Sequence, residues 1–341
     1  MNDEELRSAL EGFLRKRSEP GTKVCALRQL SGGASCRVYA FDFELDGKRD
    51  SRVLRLDSPG ATAGTRKEEF ALLALARRAG MTVPAVHECG TEEDGLGGAF
   101  FVMDLVRGEA LARRLLRDQH YSQARARLPG QLATQLARLH AIDVADPSIA
   151  FLHARAAGGS GPERFARAET GRYRQILDAF GDHPYPLLRL VGRWLDRHAP
   201  AAGVPALVHG DFRVGNVMFD ETGLAAVLDW ELAHVGDAVE DLGWLCVRTW
   251  RFGNDSQPAG GLCSREELVR AYESAGGREV DPVALRWWEL FGNWKWAIIC
   301  RMQAERHKTG KRPDLELAAI GRRIAETEKE ILALLDEAEG R

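Results

Sequence analysis

The apolar pattern of this chain turns from mostly strand-like to mostly helical near residue 104, and that change limits the folds open to it. Before it, "VCALRQL", "CRVYAFDFEL" and "SRVLRL" are apolar-rich runs with partial alternation, separated by the turn-rich "SGGAS" and "DGKRD". "TRKEEFALLALARRAG" reads as a helix closed by Gly80, and "PAVHECG" and "AFFVMDLV" add two strands. After "RGEA" the spacing becomes helical, with Leu132, Leu136 and Leu139 on one face of "QLATQLARLHAI". Helical segments follow around 163–180 and 185–198, then a short stretch with strands, then helices again from Asp237. Asp281-Pro282 is a helix start, with Asp as N-cap and Pro at the first helical position. A last helix is expected to carry Leu317, Ile320, Ile324, Ile331 and Leu335 on one stripe against the core. The expected architecture is α+β in two lobes: a small antiparallel-sheet lobe over residues 1–105 and a larger, mainly helical lobe over 106–341. A hinge lies at 104–108. The loop "RFGNDSQPAGGLCS" (251–264) is expected to be a mobile segment.

A chain of 341 residues can bury a core in each lobe. A net charge of −3 gives no electrostatic reason to expect nucleic acid or an anionic membrane as partner. No apolar run approaches a membrane span. The segment "MNDEELRSALEGFLRKRSEPG" is charged and amphipathic, without the apolar stretch of a signal peptide. The six cysteines form no CxxC pair, which favours reduced thiols in a cytoplasm over disulfides or zinc.

The chemistry concentrates in "LVHGDFRVGNVMFDETGLAAVLDWE" (207–231). Asp211 and Asn216 stand five apart, and Asp229 thirteen further on, each beside a short apolar run. A phosphoryl transferase needs one carboxylate to orient the acceptor hydroxyl and take its proton. It also needs oxygen ligands for Mg²⁺, all rigidly placed, because catalysis there is largely positioning and charge neutralisation. His209, Asp211, Asn216 and Asp229 match the order H-x-D-x-x-x-x-N followed by a metal-binding Asp. Taken singly, Asp211 beside Gly210 and Asn216 beside Gly215 are ordinary turn residues. Their joint spacing between apolar strands is not.

"HGDFRVGNVMF" with "VLDWELAHVGDAVEDLGWL" resembles the aminoglycoside phosphotransferase family, a branch of the protein-kinase-like fold that includes choline kinase-type enzymes. It is most similar to the kinase-like domains found beside acyl-CoA dehydrogenases, over roughly residues 24–305. The resemblance implies Asp211 as catalytic base, Asn216 and Asp229 as Mg²⁺ ligands, and His209 as support for the catalytic loop. Trp230 and Glu231 replace the Phe-Gly pair that follows the metal Asp in protein kinases; Glu231 reads as a water-mediated ligand or a solvated charge. Asp241 resembles the family's helix Asp that braces the catalytic loop. Asp237 reads as an N-cap with Glu240 in a capping-box position.

In "LSGGASCRVYAF" a Gly-Gly turn lets backbone N–H groups approach phosphates, although hairpins use such turns too. The resemblance implies that Ser31, Gly32, Gly33 and Ser35 cover the nucleotide phosphates. Arg55 in "SRVLRL" stands where kinases carry Lys; a guanidinium can bind phosphate bidentately. Its implied partner is Glu69, with Glu68 the alternative. Asp104, Leu105 and Val106 resemble the segment whose backbone meets adenine. Trp287, Trp288, Trp294 and Trp296 read as core or as the wall of an apolar acceptor site. No acidic cluster large enough for a polycationic aminoglycoside is evident. The expected activity is an Mg²⁺-dependent transfer from ATP or GTP to a small hydroxyl-bearing molecule. The rivals are a pseudokinase that binds nucleotide or a protein partner, and a metal-dependent phosphohydrolase.

Overall fold

The computed structural model describes residues 1–17, 20–30, 36–58, 65–155, 161–181, 185–201, 203–310 and 314–340. The chain forms two compact units. One comprises Met1–Gly108, Ala145–Phe151 and Ala225–Glu231; the other comprises Glu109–Val144, Leu152–Leu224 and Leu232–Arg341.

The first unit contains α1 (Asp3–Arg17), β1 (Lys23–Leu30), β2 (Cys36–Leu45), β3 (Lys48–Asp57), α2 (Thr65–Arg78), β4 (Val86–Gly90) and β5 (Phe100–Asp104). The strands form one antiparallel sheet in the order β1-β2-β3-β5-β4. The β2–β3 hairpin turns through Asp46-Gly47, both at positive φ, the pairing that a two-residue loop favours. Alternation sorts the side chains by face. Leu54, Leu56, Phe100 and Val102 pack with Leu6, Leu10 and Phe13 of α1, whereas Phe101 meets Phe70 of α2. Arg55, between Leu54 and Leu56, is thereby sent to the α2 face.

The second unit begins with α3 (Ala112–Arg117) and α4 (Ser122–His140). The short α5 (Ala150–Arg155) is followed by α6 (Arg164–Asp178) and α7 (Pro186–Arg197). Next come β6 (Ala206–Val208), β7 (Val217–Asp220), β8 (Gly223–Val227), whose residues from Ala225 belong to the first unit, β9 (His234–Gly236) and α8 (Val239–Leu245). The chain ends in α9 (Arg265–Ser274), α10 (Pro282–Lys308), α11 (Leu315–Gly321) and α12 (Ile324–Ala338). β6 pairs antiparallel with β9, and β7 with β8 in a separate ribbon. The central helix is α10. Its Trp287, Trp288, Phe291, Trp294 and Ile298 fill a core with residues of α6, α7 and α12, so three of the four paired tryptophans are core rather than acceptor wall. Gly243 of α8 allows its close approach to α10: a Cβ there would lie 2.6 Å from that of Trp288. The Asp281 carboxylate accepts from Val283 N and caps α10, as Asp281-Pro282 indicates.

Two expectations are corrected here. The apolar stripe ending the chain belongs to two helices, α11 and α12, parted at Arg322 and Arg323. Gly321 sits where a Cβ would meet Ala304 at 2.5 Å, so the break coincides with a close contact to α10. The segment 251–264 is folded rather than free: Arg251, Pro258, Ala259, Gly260, Gly261 and Cys263 are buried, and Gly260 N donates to Leu245 O. All six cysteines are free. Among the described residues no helix is long and apolar enough to cross a membrane.

Candidate active site

Within the first unit, Arg55 is the hub of an ionic network. Its guanidinium lies 3.2 Å from Glu69 and 3.3 Å from both Asp229 and Glu231. Arg66, one turn before Glu69 on α2, is wholly buried and contacts Glu69, Asp57 at 2.9 Å and Glu231 at 3.5 Å. Glu69, not Glu68, is therefore the residue paired with Arg55. Glu231 pairs with both arginines while its side chain stays partly exposed. Burial disfavours the Arg55 charge, but Glu69, Asp229 and Glu231 outweigh it and hold the guanidinium above its ordinary value. Burial pushes the Glu69 carboxyl up, against the pull of Arg55 and Arg66. Asp229 has φ +60, a left-handed conformation that a non-glycine residue keeps only under local constraint. Its side chain stays half exposed.

Asp104 ends β5. Its carboxylate contacts His87 Nε2 at 2.7 Å, and its backbone N–H already donates to Ala85 O. Leu105 and Val106 follow, both half-buried. Ser31, Gly32, Gly33 and Ser35 lie outside the described residues.

In the second unit the loop after β6 carries His209, Asp211 and Asn216. Gly210 has φ +75, and a Cβ there would lie 2.5 Å from Leu232 O, so only glycine fits this turn. Asp241 of α8 holds the loop: its carboxylate accepts from His209 N at 2.7 Å and Gly210 N at 2.9 Å, and contacts His140 Nε2 at 3.3 Å. Burial opposes that charge, but the His140 contact and the backbone donors keep Asp241 below the usual carboxylate range. His209 is buried; its Nδ1 accepts from Asp211 N at 3.2 Å.

The Asp211 carboxylate receives three donors. Trp244 Nε1 and Arg213 Nε reach Oδ1 at 2.8 and 3.1 Å, and Asn216 Nδ2 reaches Oδ2 at 2.6 Å. Asn216 also donates to Asp211 O at 3.0 Å. Its amide nitrogen is thus occupied by Asp211, and its carbonyl oxygen is the atom left to offer a cation. The first unit offers four carboxylates against two guanidiniums. Hard oxygen donors with an anionic surplus suit Mg²⁺.

The capping box expected around Asp237 does not form. Asp237 accepts from Val239 N and Trp288 Nε1, but Glu240 turns to His234 and Lys295 instead. Four residues escaped the reading of the sequence. Arg213 stood inside the quoted motif. Trp244 follows Asp241 by three, so a face of α8 that braces the loop also presents it. Arg66 precedes Glu69 by three on α2. Lys295 is a lone cation in the apolar run "LFGNWKWAIIC", a signal of a buried charge.

Comparison with known proteins bears on the fold and the family. The chain is 28% identical over 248 residues to acyl-CoA dehydrogenase family member 10 of Mus musculus, covering 71% of this chain and 22% of that protein. It is 30% identical over 232 residues to family member 11 of Gallus gallus, covering 64% and 28%. The chain thus spans about a quarter of the length of these relatives. Its fold is similar to that of a protein from Ralstonia eutropha provisionally named an aminoglycoside phosphotransferase. That match has a TM-score of 0.72 at 20% identity over 97% of this chain and 98% of that one. It is also similar to Plasmodium vivax ethanolamine kinase, with a TM-score of 0.64 at 12% identity over 96% and 89%. The fold is the kinase-like one that the resemblance implies. The model of the phosphotransferase enzyme family matches residues 26–288, and the chain belongs to that family.

Proposed function

We propose that this chain is an Mg²⁺-dependent phosphotransferase that moves the γ-phosphate of ATP or GTP to a hydroxyl of a small molecule. The observation that carries the reading is the Asp211 carboxylate, fixed by Trp244, Arg213 and Asn216 on a loop that Asp241 braces. Asp211 orients the acceptor hydroxyl and takes its proton. The acceptor oxygen bonds to the γ-phosphorus, and the bond to the nucleoside diphosphate breaks, with the electron pair leaving on the diphosphate. Arg55 turns its guanidinium to the nucleotide phosphates while Glu69 positions it. Ser31, Gly32, Gly33 and Ser35 cover those phosphates, and the backbone of Asp104, Leu105 and Val106 meets the base. Asn216 and Asp229 are the oxygen ligands for Mg²⁺. Bound there, the cation supplies charge neutralisation on the phosphates. His209 supports the loop through its contact with Asp211 N.

In this reading residues 1–105 form the nucleotide lobe and 106–341 the lobe with the catalytic loop and acceptor site. Six free thiols support a cytoplasmic setting. Solved structures with this fold include a streptomycin–ATP ternary complex, which supports a nucleotide and a small molecule as the two substrates. The curated relatives are named as acyl-CoA dehydrogenase family members, which favours a hydroxyacyl-type or other metabolic acceptor over an aminoglycoside.

The test is nucleotide turnover with Mg²⁺ across a panel of hydroxylated acceptors, in the wild type and Asp211→Asn. Loss of about a thousandfold or more is expected in the variant. Full activity in Asp211→Asn would sink the role given to that residue. Nucleotide binding that ignores Mg²⁺, with no turnover on any acceptor, would favour the pseudokinase instead. Phosphatase activity without nucleotide would favour the phosphohydrolase.

A further inference from the structure

We infer that Lys295 is a positioning residue for the transfer, holding the Asp211 loop from the helical core through the Gly210 carbonyl and the face of Trp244. The inference rests on Asp211 being the base. It concerns a residue beyond the part of the chain that the family model matches, which ends at 288.

Lys295 lies mid-way along α10 and is 2% exposed. An ammonium so buried is stable only if hydrogen bonds and opposite charge replace its water. Its Nζ donates to Gly210 O at 3.1 Å and to Glu240 Oε1 at 3.4 Å. It also sits 4.5 Å from the centre of the Trp244 ring and 5.5 Å from that of Tyr173. Two of these contacts lead straight to Asp211. Gly210 is its immediate neighbour, on the turn that admits only glycine. Trp244 donates its indole N–H to Asp211 Oδ1 at 2.8 Å. A cation on the face of an indole draws electron density from the ring and makes the N–H a stronger donor. Lys295 therefore fixes both the backbone beside Asp211 and one of its carboxylate's donors.

The groups beneath Lys295 exist to keep it there. Glu240, His234 and Glu169 lie close enough together to hold a metal ion. Their contacts are those of an ion network instead. His234 Nε2 lies 3.1 Å from Glu240 Oε2; burial works against the imidazolium, but Glu240 outweighs it and raises the ring to about 9. Lys295, His234 and Arg172, the last 3.7 Å from Glu169, thus face two carboxylates, Glu240 and Glu169. A lysine acting only as the counter-ion of Glu240 would not need the loop carbonyl.

The test follows the indole N–H resonances of the ¹⁵N-labelled full chain, with Trp244 assigned by its disappearance in Trp244→Phe. Lys295→Met leaves Glu240 with one cation fewer, so the charge-balanced Lys295→Met/Glu240→Gln variant is measured beside it. In both, the Trp244 indole is expected to move upfield and exchange faster with water, while Trp287, bonded to Leu195 O, keeps its resonance. Turnover of Mg²⁺-ATP, with water as acceptor, is expected to fall about tenfold or more at unchanged nucleotide KM. Lys295→Arg, which keeps the charge, is expected to restore part of both signals. A charge-balanced variant with wild-type Trp244 resonance, exchange and turnover would reduce Lys295 to a counter-ion and overturn the inference. The indole readout needs no turnover, so it tests the hold of Lys295 on the loop and Trp244 separately from the role of Asp211, which Asp211→Asn tests.

Discussion

Arg55 in the first unit and Asp211 in the second are both charged groups fixed by several partners, but the partners differ in kind. Arg55 divides one guanidinium among three carboxylates at 3.2–3.3 Å, two of them partly exposed, and with Arg66 it faces four carboxylates in all. Asp211 receives three donors at 2.6–3.1 Å, from an indole, an amide and a guanidinium. Its loop is tied from below by Asp241 and Lys295, both buried. Diffuse ion pairs in anionic surplus can exchange partners when phosphates and a divalent cation arrive. Short directional bonds around a single carboxylate resist such exchange. The difference matches the two tasks proposed: a cation that must re-aim on binding, and a base whose placement must not change.

The largest effect is expected at the brace of the rigid site. Asp241→Asn keeps the shape but puts an amide where two backbone N–H groups need acceptors. It should cost about 3 kcal/mol or more of stability and on the order of a hundredfold in turnover. Chemical denaturation and nucleotide turnover measure the two losses. Asp241→Asn behaving as wild type would mean that the second network is no more rigid than the first.

The next effect divides the first network in two. Arg66 touches Glu69, Asp57 and Glu231 from a wholly buried position, so Arg66→Met should destabilise by about 3 kcal/mol. Arg55→Met leaves Glu69 with Arg66 and should cost stability less, but it should weaken nucleotide binding about tenfold or more by titration calorimetry. Equal stability losses with unchanged binding in Arg55→Met would contradict an exchangeable Arg55.

How far the sequence foretold this contrast depends on the residue. Period-2 alternation in "SRVLRL" separated Arg55 from its apolar neighbours, and the five-residue spacing of Asp211 and Asn216 is that of two side chains bonded to each other. Strand ranges in the first unit were legible for the same reason: each run is bounded by its own turn chemistry. The supports were not legible. Trp244 and Lys295 sit in apolar helical stretches whose composition says core, and only the crossing of α8 and α10 turns two core residues toward Asp211. Glu240 matched a capping-box position, but the half-buried His234 and the buried Lys295 outweighed a local cap. The segment 251–264 looked free because glycine, proline and polar residues fill it. Its glycines serve close packing instead: a Cβ on Gly260 would lie 2.6 Å from Val214.

A smaller effect concerns pH. His234 is raised to about 9 from an ordinary value near 6.5, by Glu240 against the opposing effect of burial. A raised folded value gives stability that is complete below pH 6.5 and lost as pH rises through about 9. Glu240 is held below the usual carboxylate range, so its share is lost only in acid. Melting temperature should therefore fall across pH 6.5–9, by the equivalent of on the order of 2 kcal/mol. His234→Gln should flatten that slope. An unchanged slope in the variant would detach His234 from the network under Lys295.

The sharpest test of the contrast, and the smallest turnover loss in the series, is Trp244→Phe. A phenyl ring keeps a face toward Lys295 but loses the indole N–H and part of the packing against Trp250. A hydrogen bond to a carboxylate is worth about 1.5–3 kcal/mol net, and the smaller ring adds a packing loss to it. Asp211 retains Arg213 and Asn216, and both would still hold its carboxylate. If three donors merely share the load, turnover should stay within about twofold of wild type. If the donors fix one orientation together, turnover should fall about tenfold, at a stability cost of about 3 kcal/mol. We expect the second outcome, because Arg213 is the most exposed of the three groups bonded there and also stacks on Trp250, 4.5 Å from its ring centre. A side chain with two allegiances does not define the angle of a carboxylate alone. Kinetics and denaturation on the same preparation separate the two cases, since a packing defect would lower stability without a matching loss of turnover.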